Sequence, residues 1–112
     1  MDWPMARYVI QVPRDVLSAE QKADVAKSVV VAHCEITGED GANVQVVMTE
    51  IDAGCFFFGG RLMECDHIFA HGYLAGSMTA ERKQVLSTRL SADVTKAAEF
   101  DVDSTWVTIT EL

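Results

Sequence analysis

Ser18-Ala19-Glu20-Gln21-Lys22 returns 61 residues later, between Ser18 and Thr79, as Thr79-Ala80-Glu81-Arg82-Lys83. Val46-Val47-Met48-Thr49-Glu50 returns at the same offset as Val107-Thr108-Ile109-Thr110-Glu111. An ungapped register also lays residues 8–12 on residues 69–73. Each copy reads strand, helix, strand, so the chain is two β-α-β units in tandem. The class that follows is α+β, a four-stranded sheet with two helices on one face.

The local signals are consistent. Residues 7–12 are β-branched and aromatic and stop at Pro13, which predicts a first strand. Ser18 opens a helix with Gln21 in capping-box spacing, and Val25, Val29, His33 and Ile36 form its apolar stripe. Gly38 closes that helix and Glu39-Asp40-Gly41 makes a turn. A second strand over 44–50 is followed by a loop over 52–60 that carries Phe56-Phe57-Phe58-Gly59-Gly60. A third strand is predicted over 67–74. Thr79 then caps a second helix with the stripe Leu86, Leu90, Val94 and Ala97, and a fourth strand covers 105–110. We read residues 1–112 as a single domain, with a first unit over 6–60 and a second over 66–112.

Composition narrows the function. Nine basic against seventeen acidic residues leave a net charge of −8, which repels nucleic-acid backbones and anionic lipid. No run approaches the ~20 apolar residues of a membrane span, and no signal peptide is expected from Met1-Asp2-Trp3-Pro4. Three cysteines without C-x-x-C spacing make no disulfide framework, so a cytoplasmic setting is the default. The strands are apolar on both sides: Tyr8, Ile10 and Val12 share one face with Val9 opposite, and Val44, Val46 and Met48 oppose Val47. Two helices cover only one face of such a sheet, which predicts self-association.

Several short stretches, in one ungapped register, carry a family resemblance. They are Leu17-Ser18-Ala19, Val25-Ala26-Lys27, Ala32-His33, Thr37-Gly38, Ala53-Gly54 and Gly59-Gly60. They continue as Asp66-x-Ile68-Phe69-x-His71-Gly72, Asp93-Val94, Ala97-Ala98-Glu99 and Trp106-Val107. The chain resembles the fused-subunit branch of the tautomerase superfamily, and within it cis-3-chloroacrylic acid dehalogenase and its relatives. That resemblance implies a homotrimer whose sheets form a central barrel, no cofactor, no metal, and a small-molecule pocket at the start of the first strand.

Carried over residue by residue, most of the family's site is altered. Its amino-terminal proline corresponds to Ala6; Pro4 follows Trp3 and is an amide without a basic lone pair. Met1 should persist before Asp2. The paired carboxylate-binding arginines correspond to Ala75 and Met78, which imply a more apolar pocket and a larger, less charged substrate. The catalytic tyrosine aligns with Thr108, and the water-activating glutamate belongs to a tail beyond Leu112. Hydrolytic dehalogenation is therefore not expected. His33 matches the family histidine and reads equally as a catalytic or carboxylate-positioning group or as a hydrogen-bonded core histidine. Arg61 reads as a replacement anion clamp or a solvated loop residue, and Tyr73 as part of the pocket wall.

Other features read as structural. His67 and His71 share a strand face near Cys65 and Asp66, but no second ligand cluster accompanies them. Asp66 is expected to order the hairpin, and Cys34 and Cys55 to be buried thiols. The Phe56–58 run reads first as core, with a pocket or subunit interface as the alternative. Two functions stay open. One is an isomerase or tautomerase-like enzyme working without the free proline on an enolisable or unsaturated carbonyl, using His33 with Thr108 or Arg61. The other is a non-catalytic trimeric binding protein, or an inactive subunit paired with an active paralogue. A pocket lined by His33 favours the first, and one filled by Met78 and Trp3 the second.

Overall fold

The computed structural model describes residues 6–63, 67–101 and 104–112. The roles read for Trp3, Pro4, Cys65 and Asp66, and for an extension over residues 1–5, lie outside the described residues. Strand β1 (Ala6–Pro13) leads to helix α1 (Ala19–Thr37), a 3-10 turn (Gly41–Asn43) and strand β2 (Val44–Ile51). A small hairpin, β3 (Phe57–Phe58) and β4 (Arg61–Leu62), precedes β5 (Ile68–Leu74), α2 (Ala80–Ala98) and β6 (Thr105–Glu111). The sheet order is β2-β1-β5-β6. β1 is parallel to β2, β5 is parallel to β6, and the two halves meet in the antiparallel pair β1–β5.

The caps set the helices where the sequence places them. Ser18 accepts from the Gln21 N–H while the Gln21 side chain returns to the Ser18 N–H, and Thr79 accepts from the Arg82 N–H. Each such cap is worth about 1 kcal/mol. Both helices have 19 residues. Val25, Val29, Ala32 and His33 of α1 and Leu86, Leu90 and Val94 of α2 bury against Tyr8, Ile10, Val12, Ile68, Ala70 and Leu74. Burying each of the larger aliphatic side chains contributes roughly 1.5–3 kcal/mol. Ile36 and Ala97, read as part of the stripes, are partly buried at the edge of that core.

The duplication extends to contacts. Lys22 pairs with Glu50, and Lys83 pairs with Glu111 at the same spacing. Gln21 donates to the Ala98 carbonyl at the end of α2, and Arg82 donates to the Ile36 carbonyl at the end of α1. The left-handed residues also correspond: Asp15 (φ 64°) to Gly76, and Gly38 to Glu99 (φ 60°).

Two expectations need correction. Residues 8–12 do not superpose on 69–73, because Tyr8, Ile10 and Val12 face the helices whereas Ala70 and Leu74 do so on β5. Side chains alternate along a strand, so a register slip of one exchanges the two faces. The strands therefore correspond at 62, Tyr8 to Ala70, and the first copy carries one extra residue before α1. The segment over 52–60 is not simply a loop, since Phe57 and Phe58 pair with Leu62 and Arg61. Gly59 and Gly60, both at positive φ, supply the two-residue turn that such a hairpin requires.

Candidate functional site

A polar chain crosses the apolar layer between β1 and α1. Tyr8 Oη lies 2.8 Å from His33 Nδ1, and both residues are fully buried. His33 Nε2 lies 3.3 Å from Glu39 Oε1, with an alignment short of a good hydrogen bond. A carboxylate cannot donate, so the proton of a neutral imidazole belongs on Nε2 facing Glu39, and Nδ1 accepts from the tyrosine. Burial pushes the His33 pKa down, opposed by Glu39. Burial also pushes the Tyr8 phenol up, with Glu39 and Cys34 adding to the shift. In this geometry the phenol donates and the imidazole Nδ1 accepts.

Backbone features fix this chain. Tyr8 stands opposite Gly72 in the β1–β5 register. A Cβ at position 72 would meet Tyr8 Cε1 at 2.7 Å, so only glycine leaves room for the ring there. Thr37 Oγ1 donates to the His33 carbonyl and accepts from the Glu39 N–H, holding Glu39 just beyond the Gly38 cap. Glu39 Oε2 is buried and has no hydrogen-bond partner among the described residues.

Glu39 lines a cavity of about 200 Å³ with Thr37, Leu74, Ala75, Gly76, Ser77, Met78, Arg82 and Glu111. The cavity lies between the end of α1, the start of α2 and the ends of β5 and β6. Lys83 and the Met78 N–H hold the Glu111 carboxyl below its usual range. The lining is mostly polar, against the expectation of an apolar pocket. Thr37, Glu39, Ser77, Arg82 and Glu111 supply the polar part of that lining, and Arg82 stands four residues after Met78.

The expected site residues are dispersed. Ala75 and Met78 line the cavity, and Ala6 is buried at the start of β1, paired with Leu74. His33 does not line it but stands behind Glu39. Thr108 lies on the opposite face of the sheet, where its Oγ1 is 2.7 Å from His71 Nδ1, and Gln11 Oε1 is 3.1 Å from His71 Nε2. Tyr73 is exposed on that same face. Arg61 is exposed on the β3–β4 hairpin and does not contribute to the cavity. Sequence reasoning missed Glu39, read as a turn residue, and Arg82, read only as repeat pattern.

Comparing the halves exposes the signal that was present. At the repeat positions, Tyr8, His33 and Glu39 correspond to Ala70, Val94 and Phe100, so one copy is polar where the other is apolar. Two further readings change. Cys55 is exposed rather than buried, and Phe57 and Phe58 are 61% and 66% exposed rather than core. Phe56 stacks on Phe69, and Trp106 meets Phe58, His67 and Phe69 edge-on. Among the described residues no three His, Cys, Asp or Glu side chains converge as a metal would require. No helix among them is long and apolar enough to cross a membrane. A larger groove of about 700 Å³ between α2 and β6 is rich in hydroxyls, several of them already bonded within the protein: Ser91 to the Thr105 carbonyl and Thr95 to the Thr105 hydroxyl.

No family model and no curated protein matches the sequence. Solved structures do. N1, a member of the cis-3-chloroacrylic acid dehalogenase family, is 25% identical with a TM-score of 0.88, over 95% of this chain and 74% of its own. F6, a fused 4-OT solved as an asymmetric trimer, is 21% identical with a TM-score of 0.86, over 95% and 85% of the two chains. Pt0534, solved after inactivation by 2-oxo-3-pentynoate, is 20% identical with a TM-score of 0.84 over the same shares. These neighbours are tautomerase-superfamily members, and the chain has their fold.

Proposed function

We propose that the protein is a small-molecule proton-transfer enzyme, an isomerase or tautomerase, that works without an amino-terminal proline. The observation that carries this reading is the chain Tyr8–His33–Glu39, which ends on a residue of the cavity wall. A buried polar chain across an apolar layer is costly unless every member is partnered, and Val94 shows that the repeat accepts an apolar residue at the His33 position. Glu39 is the proton acceptor in this reading. His33 orients it through Nε2–H, Tyr8 fixes the imidazole tautomer, and Arg82 receives the oxygen-bearing end of an enolisable carbonyl substrate. Thr108 and Arg61 take no part in the proton transfer.

The second reading, a non-catalytic assembly, is favoured by the presence of Met78 in the cavity wall and by the absence of His33 from it. The test is exchange of substrate C–H protons in deuterated buffer, followed by NMR with a panel of small ketones and oxo acids. Exchange that is lost in Glu39→Gln and strongly slowed in His33→Val supports catalysis. A folded protein with no exchange above buffer on any compound leaves the binding role.

We also propose that the chain acts as one domain and assembles as a homotrimer. The face of the sheet away from the helices exposes Val47, Tyr73 and Trp106, and among the described residues the outer edges of β2 and β6 pair with no further strand. Similar chains, the fused 4-OT structures, are described as trimers. Pairing with a paralogue is the alternative assembly, and a cytoplasmic setting belongs to the same proposal.

A further inference from the structure

Resting on that reading, we infer that the cavity takes a small zwitterion: an enolisable ketone bearing both a carboxylate and an ammonium group. α1 stops at Thr37 and presents its carbonyl end, with no basic residue in its last turn, on one side of the cavity. α2 starts after Thr79 and presents its N–H end on another. Helix dipoles make the first wall partly negative and the second partly positive. Glu39 lies just past the end of α1, while Arg82, in the first turn of α2, reaches across to the Ile36 carbonyl near that end, and Glu111 adds a second carboxylate to the lining.

The hydrogen-bond inventory says which groups await a ligand. Glu111 Oε1 also lacks a well-aligned hydrogen bond, but it is ion-paired with Lys83, and the Met78 N–H donates to the same carboxyl. Glu39 turns Oε1 to His33, but its Oε2 is buried and no described residue donates to it. An unmet buried carboxylate oxygen asks for a donor, and a charged ammonium is the strongest one a small ligand can bring. Arg82 donates from one terminal nitrogen to the Ile36 carbonyl, and its fork has further donors for a carboxylate. A cavity of about 200 Å³ is below the range of drug-sized pockets and suits a compact metabolite.

This placement also aligns the chemistry. In an amino ketone the acidic C–H lies on the carbon between the carbonyl and the ammonium. Anchoring the ammonium on Glu39 brings that carbon to the carboxylate. The C–H bond breaks, the proton passes to Glu39, and the electron pair moves to the carbonyl oxygen as the enolate; a solvent proton completes the enol.

Titration calorimetry on the full chain tests this with three probes. Aminolevulinate carries both charges, levulinate lacks the ammonium and aminoacetone lacks the carboxylate. We expect aminolevulinate to bind at least about tenfold more tightly than either, a difference of about 1.4 kcal/mol. Glu39→Gln should erase its advantage over levulinate, and Arg82→Met its advantage over aminoacetone, with Arg82→Lys retaining part. Equal binding of levulinate, a ranking untouched by both substitutions, or no binding of any probe overturns the inference. The two readings fail separately. The ranking without proton exchange removes only the catalytic one, and exchange on levulinate without the ranking removes only this one.

Discussion

Tyr8 and Gly72 face each other across the β1–β5 pair, and the glycine leaves the space that the tyrosine ring occupies. A methyl group there would stand 2.7 Å from Tyr8 Cε1, with Leu74 Cδ1 also within 3.3 Å. Gly72→Ala should therefore push the ring from its place, costing about 1–3 kcal/mol as overpacking does. It should also disturb the His33 ring resonances by NMR, although position 72 does not touch the imidazole. An alanine variant with unchanged urea midpoint and unchanged His33 signals contradicts this relationship.

His33 stands at the repeat position of Val94. His33→Val should leave a folded protein, because the same frame already buries a valine there. Tyr8→Phe should be worse for its size: it leaves His33 Nδ1 buried without a donor, a penalty of about 1–3 kcal/mol. The double variant should be less destabilised than the sum of the singles, since it removes both partners together. Equilibrium unfolding of the three variants reads this directly, and strict additivity would break the proposed coupling.

The lowered His33 pKa has a defined effect on stability. The folded pKa is below the unfolded one, about 6.5, so the unfolded chain takes up the extra proton first. The stabilising term is complete above that value and is lost as pH falls below it, by at most about 1.4 kcal/mol per pH unit. Glu50 and Glu111, held low by Lys22 and Lys83, act in a more acidic window, near and below about pH 4.3. Urea midpoints measured either side of about pH 6 should fall toward acid in the parent chain and flatten in His33→Val. A parent chain that is flat across that window refutes the assignment.

Assembly is read from mass. Light scattering should give three times the 12.3 kDa of one chain. Trp106→Glu places a charge amid Phe58, His67 and Phe69 on the open sheet face and should shift the mass toward a single chain. A parent chain that is monomeric at micromolar concentration ends the trimer proposal.

Much of this fold was legible because its signals are local. Ser18 with Gln21, Gly38 and Thr79 bound the helices through hydrogen bonds made within a few residues. The slipped strand register was not legible from identity matching, because side-chain alternation discriminates more sharply than the similarity of Tyr8 to Phe69. Of the candidate site, Ala75 and Met78 were legible as cavity wall and His33 as the residue behind it. Glu39 and Arg82 belong to different elements, and each looks ordinary in its own: a turn acid and the third residue of a helix. Their meeting depends on how α1 and α2 terminate beside one another, which no short stretch encodes. Thr108 and His33 were joined by resemblance, yet strand alternation sends Thr108 to the far side of the sheet.

Asp15 and Glu99 adopt left-handed backbone where the matching copy has Gly76 and Gly38. Such a conformation costs a residue with a side chain up to about 1–2 kcal/mol. The frame thus demands the same two bends in each half, and each half eases a different one. Both strained corners lie on turns away from the Glu39–Arg82 cavity lining. They form a reserve of stability that an engineer could release with two glycines, offsetting the losses that alterations at the buried histidine would bring.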